Sequence, residues 1–92
     1  MKYCFPALLE EDEREPGFTI ISFPDLIGIG SECEKGKEME TAREILGLAL
    51  ITEYRRLIHP TDVEILKKYY PDCEVILVEV DVDEDDDIEK EI

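Results

Sequence analysis

The chain has 92 residues, of which 43% are hydrophobic and 38% charged. That is room for one domain with a small core, too apolar for a disordered segment. Its formal charge of −15 argues against binding nucleic-acid phosphate directly and favours a basic protein partner.

In chain order, residues 1–9 alternate as a strand with Tyr3, Phe5, Ala7 and Leu9 on one face. Pro6 lacks a backbone donor, so this strand is expected at a sheet edge or at a bulge. Residues 10–16 read as an acidic loop holding Glu10, Glu11, Asp12, Glu13 and Glu15. Residues 18–23 form the stretch around which the rest is arranged. Their high β propensity and apolar character on both faces predict a central strand covered on both sides. Pro24 ends it, and Asp25 to Gly28 has turn composition. Residues 29–34 predict a third strand and an antiparallel meander.

A helical pattern follows from Lys37 to about Leu57, with Met39, Ala42, Leu46, Ala49, Leu50 and Leu57 on one stripe. Leu48 and Ile51 fall on its far side and are the candidates for self-association. Pro60 stops the helix. Thr61-Asp62-Val63-Glu64 has the form of a capping box, which starts a short helix reaching about Tyr69. Residues 74–83 predict the last strand. Its first half reads as buried on both faces, and its second half turns Glu79, Asp81 and Asp83 outward. Residues 84–92 are nearly all carboxylate and read as an acidic tail, with no DNA-binding domain expected there. The fold class is α+β in the order β-β-β-α-(α)-β, with the final strand added to the sheet.

No stretch approaches the roughly 20 apolar residues of a membrane span. The chain begins without a signal-peptide core, so a cytoplasmic location is expected. Cys4, Cys33 and Cys73 are odd in number and lack a C-x-x-C spacing, so free buried thiols are expected. His59 is the sole histidine, and its corner position suits a structural or solvent-exposed role better than a catalytic one.

Residues 81–87 invite a calcium reading, but an EF-hand loop from Asp81 needs glycine at Asp86 and glutamate at Ile92. A fragment of a ribonuclease H fold is another reading, yet Glu79 or Asp81 would lack acids from the first strand. No nucleophile–base pair, metal site or cofactor loop is visible, so a non-enzymatic protein without cofactors is expected.

Tyr3-Cys4-Phe5-Pro6-Ala7, Gly17, Phe23-Pro24-Asp25-Leu26 with Gly28, Thr41-Ala42-Arg43-Glu44-Ile45-Leu46 and Val78-Glu79-Val80-Asp81 together resemble the HicB antitoxin family. The resemblance spans residues 1–83. It implies a partly degraded ribonuclease H-like domain without nuclease activity, whose partner is a small basic HicA-type toxin that cleaves messenger RNA. The sequence departs from the family pattern at Ile27 and Ile29, in a shorter approach to the helix, and in the absence of the usual C-terminal DNA-binding element. Operator binding by this chain alone is therefore not expected. The contact candidates are Glu10, Glu11, Asp12, Glu13, Glu32, Glu34, Glu79, Asp81 and Asp83. Phe23, Pro24, Asp25 and Gly28 read as determinants of the fold. The alternative is a stand-alone homo-oligomeric HicB-like domain, a dimer or larger, with a scaffold or ligand role.

Overall fold

A computed structural model of the chain describes residues 1–82. Its elements are β1 (Lys2–Glu11), β2 (Phe18–Ser22), β3 (Gly30–Glu34), α1 (Glu38–Ala49), α2 (Glu53–Arg56), α3 (Val63–Tyr69) and β4 (Glu74–Asp81). The strands form one antiparallel sheet in the order β3-β2-β1-β4. This is the α+β class and element order that the sequence predicts. Asp83 and the acidic residues 84–92, including most of the calcium-like run, lie outside the described residues. No described helix is long and apolar enough to cross a membrane.

Pro6 does not put β1 at an edge. The strand is internal, yet its two ladders are staggered. Pairing with β4 runs from Lys2 to Leu9, whereas pairing with β2 covers only Leu8 to Glu11. At Pro6 the strand is paired on one side only, so the missing donor need not break a ladder. Glu10 and Glu11 belong to β1, opposite Ile20 and Thr19, and not to the loop predicted for residues 10–16. Their pairing extends the β1–β2 hairpin.

Cross-strand partners share a face. Tyr3, Phe5, Ala7, Leu9, Ile21, Cys33, Ile76, Val78 and Val80 all turn to one side, where α1 delivers Ala42, Leu46, Ala49 and Leu50. This is the main core. It confirms the predicted Tyr3–Leu9 stripe and corrects two expectations about the opposite face. β2 is internal but covered on one face only: Thr19 and Ile21 are buried while Ile20 is exposed. In β4, Leu77 is 55% exposed, because this strand ends the sheet and has no neighbour beyond it.

The predicted single helix is divided. Leu50 closes α1 with its N–H bonded to Leu46 O, and Arg56 Nε donates to Leu50 O at 2.7 Å. A side chain from beyond the break thus satisfies a carbonyl left open at the helix end. Ile51 and Thr52 are β-branched and gain little by continuing the helix. Two predicted stripe members therefore miss the core: Leu57 lies past the break and is 86% exposed, and Met39 is also exposed.

Residues 23–29 close β2 onto β3 through bonds from Leu26 N to Phe23 O, 3.0 Å, and from Ile29 N to Leu26 O, 3.1 Å. Gly28 adopts φ +84°, which only glycine takes without strain. Asp25 reaches across to the start of α3, accepting Thr61 N at 2.9 Å and the Thr61 hydroxyl. The N-cap of α3 is accordingly Asp62, which accepts Glu64 N at 3.1 Å, and not Thr61 as the capping-box pattern suggests. The Thr61 hydroxyl is already engaged with Asp25.

Candidate functional site

The predicted contact residues separate by strand parity. Side chains opposite the α1 face are those of Lys2, Cys4, Pro6, Leu8 and Glu10 in β1, with their partners. One row reads Glu10–Ile20–Glu32, with Phe18–Glu34 beside it. At the other end Cys4 faces Glu79 and Lys2 faces Asp81. Between the two ends lie Leu8 and Pro6, both buried, with half-buried Val75 and exposed Leu77. Glu10, Glu32, Glu34, Glu79 and Asp81 are all exposed. Cys4 and Glu10 are six residues apart in β1, so the two acidic ends stand about 20 Å apart.

Other candidates sit elsewhere. Glu11 turns to the α1 side, where Lys35 Nζ lies 2.7 Å from its carboxylate and holds it below the usual carboxylate range. Glu38, on the same side, accepts the Thr19 hydroxyl at 2.9 Å and Gly36 N at 2.8 Å. Its carboxyl is lowered first by its own backbone N–H and then by the Thr19 hydroxyl and Gly36 N. Asp12 is buried in the β1–β2 turn and accepts Arg14 N at 2.9 Å. Glu13 is exposed in that turn. Asp81 also accepts from the Met1 ammonium at 3.0 Å.

The structure adds Glu15 to these residues, because carboxylate oxygens of Asp12, Glu15 and Glu32 all lie within 4.8 Å of one another. Glu32 is remote in sequence from the other two, and only the β2–β3 register brings it to the turn. A hydrogen bond between the Asp12 and Glu32 carboxyls pushes Glu32 up to about 7 and Asp12 down, with desolvation and then the Asp12 and Glu15 charges adding to the rise at Glu32. The pair thus keeps a proton at a pH where an isolated glutamate has lost it.

The folded state holds this proton after the unfolded chain, with its ordinary value near 4.5, has released it. The resulting stabilisation is complete below that value and is lost as pH rises through about 7. Glu32→Gln mimics the protonated carboxyl. Its melting temperature should equal that of the parent near pH 5 and exceed it by pH 8, two values flanking the titration. A difference that stays constant with pH would contradict the shared proton.

The thiols divide as well. Cys33 is buried, Cys73 half-buried and Cys4 exposed, the last contrary to expectation. Desolvation, followed by the Glu79 charge, raises the Cys4 thiol, so exposure does not make it a ready thiolate. His59 is exposed at the corner before α3.

Leu48 and Ile51 are 64% and 51% exposed, as the wheel predicts. Leu48 lines a groove of about 370 Å³ together with Gly28, Ile29, Gly30, Ile45 and Ala49, between α1 and the start of β3, with Thr52 and Arg55 completing its wall. Ile51 is not among its lining residues. No family model, curated protein or solved structure matches this chain.

Proposed function

We propose that this chain is a HicB-like antitoxin domain that binds and neutralises a small basic HicA-type mRNA interferase, without catalysing a reaction itself. One observation carries this reading. Glu10, Glu32, Glu34, Glu79 and Asp81 are exposed on a single sheet face, in a chain whose formal charge is −15. A toxin that grips RNA needs lysines and arginines facing phosphates. Carboxylates spaced over about 20 Å would engage those cations in place of RNA, and the surrounding field would speed the encounter.

The test is to co-express the chain with any small basic protein encoded beside it, then measure growth rescue and complex formation. A complex that weakens steeply with salt is expected. Glu10→Lys with Glu79→Lys, at opposite ends of the face, should weaken it by about tenfold or more. No complex at micromolar concentration in low salt would remove the toxin reading.

A second reading is self-association through the α1 surface, favoured by the exposure of Leu48 beside a groove that Ile29, Ile45 and Ala49 also line. Sedimentation of the purified chain separates the two. A dimer or larger species that Leu48→Glu converts to monomer would support it, and a parent that sediments as a monomer would dismiss it.

A further inference from the structure

β3 ends the sheet, so one side of its backbone has no strand beside it among the described residues. Register shows which groups face that side. Phe23 N donates to Ile29 O at 3.2 Å and Lys35 N to Gly17 O at 2.9 Å. These bonds bracket the ladder that runs from Phe18↔Glu34 to Ser22↔Gly30. Bonding alternates along an antiparallel pair, so Ser31 and Cys33 turn their backbone groups to β2. Gly30, Glu32 and Glu34 turn theirs away from it. The outward carbonyl of Glu34 is occupied by Lys37 N at 3.0 Å, and that of Glu32 accepts a long, exposed bond from the Ser31 hydroxyl at 3.5 Å, which an incoming strand donor would replace.

Side chains alternate across the same strand. Glu32 and Glu34 point to the face opposite α1, while the groove beside Ile45, Leu48 and Ala49 opens at the start of β3 on the α1 side. A strand laid along this edge would meet carboxylates on one face and apolar surface on the other. A second copy of β3 is a poor occupant, because antiparallel self-pairing sets Glu32 and Glu34 against their own counterparts, and like charges opposite one another destabilise a ladder. A cationic strand reverses the sign of that contact.

The geometry points to strand addition at the β3 edge. The occupant is an extended segment of a basic protein, with lysine or arginine at one set of alternate positions and apolar residues at the other. This rests on the reading of the chain as a binder of a basic protein, and specifies where and how such a partner docks. The backbone groups of Gly30 and Glu32 supply affinity, Glu34 and, above about pH 7, the ionised Glu32 select the cations, and the Leu48 groove selects the apolar residues.

Two synthetic peptides of about nine residues test this, one alternating lysine and valine and the other grouping the same residues in two blocks. Titration at pH 8, where Glu32 is ionised, is followed by backbone amide chemical shifts. The alternating peptide should bind at least tenfold tighter than the block peptide, with shifts centred on residues 30–34. N-methylating the alternating peptide's amides along one edge should abolish the difference. In the protein, Glu32→Pro removes the outward N–H and leaves the β2 bonds in place, a substitution that an edge strand accommodates. It should bind at least tenfold more weakly than Glu32→Gln, which removes only the charge. If Glu32→Pro does not fold, the methylated peptide decides. Equal binding of the two peptides would overturn strand addition while leaving the attraction for basic proteins standing. Shifts centred on β4, or a parent dimer that Glu32→Pro dissociates, would also overturn it. No binding of either peptide at low salt would overturn strand addition, and the co-expression test alone would then decide the toxin reading.

Discussion

Replacing Phe5 with alanine is expected to cost about 3–5 kcal/mol, the range for truncating a large side chain in a packed interior. Phe5 is 1% exposed, stands opposite Val78 across the β1–β4 ladder and belongs to the cluster that α1 covers with Leu46 and Leu50. Its neighbours are held by the β1–β4 ladder and by the helix above, so the space left behind would not close by local collapse. A domain this small has a total stability of about 5–10 kcal/mol, and each kcal/mol moves the melting point by about 4–8 °C. Phe5→Ala should therefore melt at least 12 °C or so below the parent, by thermal or urea unfolding. Leu77→Ala on the same sheet serves as the control. Its side chain is largely in solvent, so its effect should stay within about 0.5 kcal/mol. Equal losses from the two would mean that the core is not on the α1 side.

Asp25→Ala is the second large effect, about 2–3 kcal/mol. The Asp25 carboxylate accepts both the Thr61 amide and the Thr61 hydroxyl, joining the β2–β3 turn to the corner before α3. Hydrogen bonds to an ionised group contribute about 1.5–3 kcal/mol each, and half-burial places this pair at the lower end. Alanine also leaves the Thr61 N–H without its partner. Asp25→Asn keeps one acceptor and should lose about half as much. Thr61→Val removes only the hydroxyl bond, so a double-mutant cycle of Asp25→Ala with Thr61→Val measures the coupling. Additive losses in that cycle, or a loss under about 0.5 kcal/mol for Asp25→Ala, would show that the corner is held by other contacts.

How far the sequence carries the fold depends on the range of the interaction. The Tyr3, Phe5, Ala7, Leu9 alternation and the Ala42, Leu46, Ala49 stripe are set within single elements, and both face the core as their periods require. The same parity rule, applied to spacing alone, places Glu79 and Asp81 opposite the core. What requires tertiary contact is not legible. Pro6 suggests an edge because nothing local reveals that β2 pairs only from Leu8 onward. The break after Ala49 depends on Arg56 reaching back to Leu50 O. Thr61 carries a capping pattern, yet its hydroxyl is engaged by Asp25, 36 positions earlier in the chain. For the acidic face, composition indicates negative charge but not its arrangement. Glu10 and Glu11 are adjacent and equally acidic, and only the β1–β2 register sends one to the candidate face and the other to Lys35.

The longest ladder, between β1 and β4, joins Lys2 to Asp81 and Leu9 to Glu74, positions at opposite ends of the described chain. Pairings so remote in sequence slow folding, since the chain must close a large loop before any contact rewards it. During synthesis the β1–β4 ladder can close over Phe5 only after Glu74–Asp81 has left the ribosome, so burial of this core side chain would follow translation of that strand.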